Sequence, residues 1–312
     1  MDGDAQNPNR RKLLQCMAVA GAGTLWTVSG GVPSPFRLGL GGQALAAAPT
    51  GDFAFAQISD THIGFHGDAN PDPGSTLQQA ITKIAQLPQR PAMILHTGDV
   101  SHTSKDEQFA AAEDMLKTPG LDVHYVPGEH DIIGDNGAAF FARFTKGVKT
   151  GGWYSFDQGG VHFVALVNVL NMKANGLGQI GHEQLEWLEK DLKGRSASTP
   201  IVVYSHMPLF ALYPDWGWGT EDATKAFAYT KRFGSVTVLT GHIHQVIQKI
   251  EGNLSFHTAM STAYPQPAPG QGSGPGPLKV PAEQLASVLG IRSLDYRPEQ
   301  HSVMISDRSL AT

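Results

Sequence analysis

The stretch FAFAQISDTHIG, residues 53–64, opens as an apolar run and closes in a polar cluster that ends at a glycine. The run Phe53–Ile58 reads as a strand buried on both faces, because it is short, apolar and bounded by turn-forming residues. Asp60 and His62 stand directly behind it. The same design recurs four times: LHTGDVSH (95–102), VPGEHD (126–131), VYSHMPL (203–209) and LTGHIHQ (239–245). Each is a β-type run that ends in Asp, Glu or His, usually beside a glycine that lets the chain turn tightly. In α/β sheets the carboxyl ends of strands share one rim, and sites form there.

Between these segments strands alternate with helical patterns. STLQQAITKIAQL (75–87), KDEQFAAAEDMLK (105–117), NGAAFFARFT (136–145), GHEQLEWLEKDLK (181–193) and TEDATKAFAYTKRF (220–233) read as helices. Leu185, Leu188 and Leu192 fall on one helical side. AMILHT (92–97), DVHYV (122–126), PIVVYS (200–205) and SVTVLT (235–240) read as strands. Residues 152–169 read as a hairpin turning at Gly159-Gly160, and residues 245–260 as a second hairpin around EGN. The Pro/Gly-rich stretch 264–281 reads as an irregular surface loop, and HSVMIS (301–306) as a return to regular structure. The order implies a mixed α/β sandwich with helix-covered sheets.

The chemistry of the five clusters is uniform. Carboxylates and imidazoles recur without sulfur, the donor set of a hard-to-borderline divalent metal. A single D-x-H or H-x-H means little, since a lone histidine is more often a core residue. Several imidazoles and carboxylates converging without a cation would carry heavy desolvation and repulsion costs.

Here the sequence resembles the calcineurin-like metallophosphoesterase superfamily, whose pattern is D-x-H, GD, GNH[DE], H and GHxH. This chain has Asp60-Thr-His62, Gly98-Asp99, Gly128-Glu-His-Asp131, His206 and Gly241-His-Ile-His244, and the likeness spans roughly residues 53–260. Within the superfamily it looks most like the class III cyclic nucleotide phosphodiesterase branch. The resemblance implies a four-layer α/β/β/α sandwich of two mixed sheets over residues 50–312. It implies two divalent or mixed-valence ions (iron, manganese or zinc) bridged by Asp99. Asp60, His62 and His244 would complete one shell, and Glu129, His206 and His242 the other. A metal-bridging hydroxide would attack a phosphate ester. His130 would assist the leaving oxygen, and Asp131 would orient His130 and hold its tautomer.

Glu129 departs from the pattern, which normally has asparagine there. As a ligand it would make a third carboxylate and favour a harder or more highly charged second ion. If its longer arm does not fit, the second position is weak. A binding module with little turnover is the alternative from another class, and phosphomonoester hydrolysis the alternative within the enzyme class. Trp216 and Trp218, a few residues past His206, offer either a stacking platform for a base or packing at the domain edge. His66, four positions after His62, offers either a substrate contact or a solvated side chain, and His102, just after Asp99, is a candidate to stand behind the ligands.

The N-terminal 46 residues differ from the rest. Arg10 and Arg11 precede a small-residue apolar run broken by glycines, and Ala44-Leu-Ala46 suits signal cleavage. The expectation is a twin-arginine-type leader handled by that export machinery, periplasmic or extracellular residence, and no stable membrane anchor. Without residues 1–46 the chain loses four of its 23 Lys/Arg, two of its 28 Asp/Glu and its single Cys16, so the net charge moves from −5 to −7. An acidic, thiol-free body excludes disulfides and thiolate ligands, and argues against duplex nucleic acid as a partner. The expected partner is a small phosphate ester.

Overall fold

The computed structural model describes residues 24–29, 32–37, 52–148, 150–300 and 302–311. The chain divides into two units, Met1–Ala48 and Pro49–Thr312. Of the first unit, two strands are described, β1 (Thr24–Ser29) and β2 (Val32–Arg37), paired antiparallel. The expected leader otherwise lies outside the described residues.

The second unit holds two sheets. One contains β3 (Phe53–Ile58), β4 (Met93–His96), β5 (Asp122–Tyr125), β12 (Gly290–Arg297) and β13 (Ser302–Ser309), in the order β13-β12-β3-β4-β5. The other contains β6 (Tyr154–Gln158), β7 (Val161–Ala165), β8 (Ile201–Tyr204), β9 (Val236–Thr240), β10 (Gln248–Glu251) and β11 (Leu254–Thr258), in the order β10-β11-β9-β8-β7-β6. The central pairs β3–β4–β5 and β7–β8–β9 are parallel. Their carboxyl ends therefore share a direction within each sheet.

Side-chain alternation sets the layers. Phe55, Met93, Leu95, Phe163, Val202, Tyr204 and Leu239 meet between the sheets. Ala56, Ile58 and Ile94 face outward under α1 (Pro73–Ala85), α2 (Asp106–Lys117) and α3 (Ala138–Phe144). Val164, Val203 and Val238 face outward under α4 (His182–Leu192) and α5 (Ala223–Thr230). The result is the four-layer α/β/β/α sandwich. Asp72 caps α1 by accepting from Ser75 N at 3.0 Å, with Pro73 at the first helical position. α4 starts at Gly181 with no side-chain cap, which forgoes about 1 kcal/mol. Burying Leu185, Leu188 and Leu192 outweighs that, at about 1.5–3 kcal/mol each.

In this unit a helix and a strand are additions to the sequence expectation, α6 (Ala282–Val288) and β12. β12 inserts antiparallel between β3 and β13. It carries Arg292, fully buried, which donates to Asp307 at 2.8 Å, Gln57 at 3.0 Å and the Thr258 carbonyl at 2.8 Å. Gln57 lies in one sheet and Thr258 in the other, so this guanidinium ties the sheets together. Among the described residues no helix is long and apolar enough to cross a membrane.

Candidate metal centre

The loops that leave β3, β4, β8 and β9 continue the pairing of their strands past the sheet ends. Asp60 N donates to the Gly98 carbonyl and His62 N to the Asp99 carbonyl, each at 2.9 Å. Gly241 N donates to the His206 carbonyl at 2.9 Å. Motifs far apart in the chain are thus drawn to one rim.

Turning side chains inward there demands unusual backbone. Asp60, His62, Asp99, His242 and His244 all adopt positive φ, at 54°, 40°, 53°, 70° and 55°. Left-handed backbone costs roughly 1–2 kcal/mol per non-glycine residue, and strain of this kind concentrates at functional sites. The neighbouring glycines serve by close approach. A Cβ at Gly128 would strike Asp99 Oδ1, and one at Gly241 would strike Ser59 Oγ.

Eight of the nine residues singled out from the sequence bring their side chains to one centre, and Asp131 does not. Asp60, His62 and His244 offer ligand atoms within 4.8 Å of one another, as do Glu129, His206 and His242. Asp99 stands between the groups, its Oδ2 being 3.5 Å from both His62 Nε2 and His206 Nε2. Asp60 Oδ1 lies 3.2 Å from His244 Nε2. Glu129 reaches in: Oε2 is 2.8 Å from His206 Nε2 and Oε1 is 2.9 Å from His242 Nδ1.

The donor set fits cations. Glu129 Oε2, His206 Nε2 and His242 Nδ1 are buried, mutually close, and without a hydrogen bond of acceptable geometry. Buried polar atoms are rarely left so, and converging lone pairs are what a metal site presents. Tautomers are prepared as well: His206 Nδ1 donates to the Thr97 carbonyl at 2.7 Å and His244 Nδ1 to the Tyr264 carbonyl at 2.6 Å. This leaves each Nε2 to face the centre. Burial and the imidazoles of His244, His130 and His102 hold His62 well below the usual histidine range, so it stays neutral. Burial pushes Glu129 up, but His242 and His206 outweigh it and hold the carboxyl well below its usual range. Burial alone would lower His206, yet Asp99 and Glu129 hold a proton on it well above the usual range. Those carboxylates ask for positive charge between them, which a cation supplies.

His130 lies beside the centre. Its Nδ1 donates to the His102 carbonyl at 2.8 Å, and its backbone N donates to Asp99 Oδ1 at 2.9 Å. Burial works against its protonation, but Asp99 and Glu129 outweigh that and raise it.

Asp131 corrects the sequence expectation that it orients His130. Its Oδ2 accepts from Val100 N and Gly128 N at 3.0 Å each, and its Oδ1 from Ser101 N at 2.8 Å and Ser101 Oγ at 2.9 Å. Four donors saturate the carboxylate and turn it away from the imidazole. Burial and Asp99 push this acid up to about 7, and the N–H donors pull against them. Asp131 therefore pins loops, and a backbone carbonyl orients His130.

The tryptophan pair packs on its own loop. Trp218 is fully buried, with Trp216 edge-on at 5.1 Å and Tyr213 edge-on to Trp216 at 5.2 Å. The wall beside His62 is instead Tyr264, stacked at 4.8 Å, with Phe65 at 4.5 Å from Tyr264. Sequence reasoning missed Tyr264, which opens a stretch read as plain loop. His66 is exposed.

The chain matches the calcineurin-like phosphoesterase family over residues 53–246. A 3′,5′-cyclic-nucleotide phosphodiesterase of Nostoc sp. is 24% identical over 219 residues, 68% of this chain and 79% of that protein. A serine/threonine-protein phosphatase of Danio rerio is 24% identical over 226 residues, 63% of this chain and 71% of that protein. Among solved structures, a dimetal phosphatase from Danio rerio superposes with a TM-score of 0.61 at 14% identity, covering 83% of this chain and 96% of that one.

Proposed function

The chain belongs to the calcineurin-like phosphoesterase family, and from that premise we propose that it is a metal-dependent phosphoric ester hydrolase that prefers phosphodiesters. One observation carries the reading: two groups of buried oxygen and nitrogen donors share Asp99, and three of their atoms face inward without hydrogen bonds. Asp60, His62, His244 and Asp99 would hold one ion, and Glu129, His206, His242 and Asp99 the other. Bound there, two cations supply Lewis acidity, offsetting phosphate charge and acidifying water.

The chain's own residues supply the rest. The Nδ1–H of His130 donates to the His102 carbonyl, leaving Nε2 to pass a proton to the departing oxygen. Burial works against that proton, and the carboxylates of Asp99 and Glu129 favour it. Tyr264 and Phe65 line the His62 side and are 3% and 8% exposed, which limits water there. The centre's ion pairs among described residues are all imidazole to carboxylate, with no Lys or Arg. A singly charged diester needs less positive charge than a dianionic monoester, and this supports the diester preference. The name of the Nostoc relative points the same way.

The test is hydrolysis of bis(p-nitrophenyl) phosphate against p-nitrophenyl phosphate, with Mn²⁺, Zn²⁺ or Fe²⁺ restored to chelator-treated protein. Diester turnover should exceed monoester turnover with at least one ion, at two ions per chain. A faster monoester reaction would make it a phosphomonoesterase. Bound metal with no turnover of either ester would make it a binding module.

Export by the twin-arginine route, to the periplasm or beyond, is part of the proposal. Its support is Arg10 and Arg11 ahead of the small-residue run. Replacing both with lysine should retain the chain in the cytoplasm on fractionation; unchanged export would remove this part.

A further inference from the structure

The side chain of His102 has no part in the ligand sets or the proton transfer above, yet it touches both. Its Nδ1 lies 3.4 Å from Nδ1 of His62. Its ring stacks on His130, with centroids 4.8 Å apart and planes at 18°. Its carbonyl accepts the Nδ1 proton of His130 at 2.8 Å. Phe65 closes the other side edge-on at 5.1 Å.

Tautomer logic gives this contact a direction. His62 turns Nε2 toward the centre, 3.5 Å from Asp99 Oδ2 and 3.3 Å from His244 Nε2. A neutral imidazole that offers a lone pair at Nε2 must carry its proton on Nδ1. The polar atom facing that proton is His102 Nδ1, which must then accept and hold its own proton on Nε2. The reverse arrangement, with His102 donating, would put the proton of His62 on Nε2 and close the lone pair to any ion. His206 and His244 give their Nδ1 protons to carbonyls, and His62 gives its to an imidazole.

We propose that His102 is a positioning residue: its side chain sets the tautomer of His62, and its carbonyl sets that of His130. One residue thereby aligns an ion-holding imidazole and the group that serves the leaving oxygen. The inference rests on the proposed two-ion reading of the site.

The experiment compares His102→Leu and His102→Asn in the full chain. The asparagine oxygen can accept near where Nδ1 stood, and leucine cannot. Chelator-treated proteins are titrated with Co²⁺ by visible absorption. Kinetics are then measured on bis(p-nitrophenyl) phosphate, with thermal melts as the folding control. Leucine should loosen one of the two ions about 10–100-fold, the range for losing a ligand's outer partner. It should lower kcat with little change in KM, and asparagine should recover most of the ion affinity. Wild-type ion affinity in the leucine variant, or an asparagine variant no better than leucine, overturns the proposal. Should leucine fail to fold, His102→Ala replaces it under the same criteria. Wild-type protein that binds no Co²⁺ overturns this inference together with the reading beneath it. Two-ion binding in wild type with an indifferent position 102 overturns this inference alone.

Discussion

Around Asp60, His62 and His244 the centre is tightly enclosed: these residues are 0%, 1% and 2% exposed, and each imidazole has a partner for its outer nitrogen. Around Glu129, His206 and His242 it is looser. The Glu129 side chain is 24% exposed and the His242 side chain 11%. The same group contains three buried atoms that lack hydrogen bonds, one on each residue. Glu129 also begins a single 3-10 turn, Glu129–Asp131, with no regular element to hold it. Every residue of the first half follows a strand end; the second half adds to His206 and His242 a residue on a short turn, with a carboxylate longer than the family's usual asparagine. The first half should therefore keep its ion when the second gives one up.

The largest expected effect lies at the seam between the halves. Asp131 ties Gly128 N, on the Glu129 side, to Val100 N and Ser101 N, just past Asp99. Asp131→Asn replaces one acceptor with an amide N–H₂ that faces N–H groups. Leaving buried donors unsatisfied should cost about 2–4 kcal/mol, measurable by urea unfolding. A variant of unchanged stability with a displaced pH–rate profile would instead return Asp131 to the role of orienting His130.

A smaller effect concerns the floor of the tight half. His96 is fully buried; its Nδ1 accepts from Gly98 N at 3.3 Å and its Nε2 meets Thr61 Oγ1 at 3.2 Å. Burial lowers it to about 3 from 6.5. The unfolded chain takes up a proton at this position near pH 6.5 and the folded chain does not. Its contribution is therefore complete above pH 6.5 and is lost as pH falls toward 3. Between pH 7 and pH 5 the loss should be about 2 kcal/mol. Urea midpoints of wild type and His96→Gln at the two pH values measure it. Equal losses in both proteins would show that another group carries the pH dependence.

Each feature is legible in the sequence to the extent that it depends on local signals. Strand ends that carry Asp60, Asp99, His206 and His244 are such signals, an apolar run stopped by a polar cluster, and they place the rim. β12 escapes notice because Arg292 and Asp295 interrupt its apolar pattern, and Arg292 is tolerable there only because Asp307, Gln57 and Thr258 receive it. Asp131 misleads because adjacency to His130 in the chain says nothing about where a carboxylate points in a 3-10 turn. His102 is marked in the sequence only by its nearness to Asp99; which ligand it meets is a distance to His62 across 40 residues of chain. Trp218 sits beside glycines in sequence, and only tertiary packing buries it.

The smallest effect is the most direct trial of the two halves. Glu129→Asn restores the family's usual residue, removes one negative charge and shortens the arm by one methylene. His206 and His242 then lose the carboxylate that lies 2.8 and 2.9 Å from them. A neutral oxygen holds a hard cation less well than a carboxylate does, so the second ion should loosen roughly tenfold, about 1.4 kcal/mol. The first ion should be unaffected, because Asp60, His62 and His244 do not depend on Glu129 for their placement. Calorimetric titration of chelator-treated wild type and variant with Mn²⁺ separates the two constants. If both ions weaken together, the halves are one cooperative unit through Asp99, and the contrast in exposure has no energetic counterpart. If only the second weakens and a softer ion such as Zn²⁺ gains on Mn²⁺ there, then Glu129 sets which metal the looser half accepts.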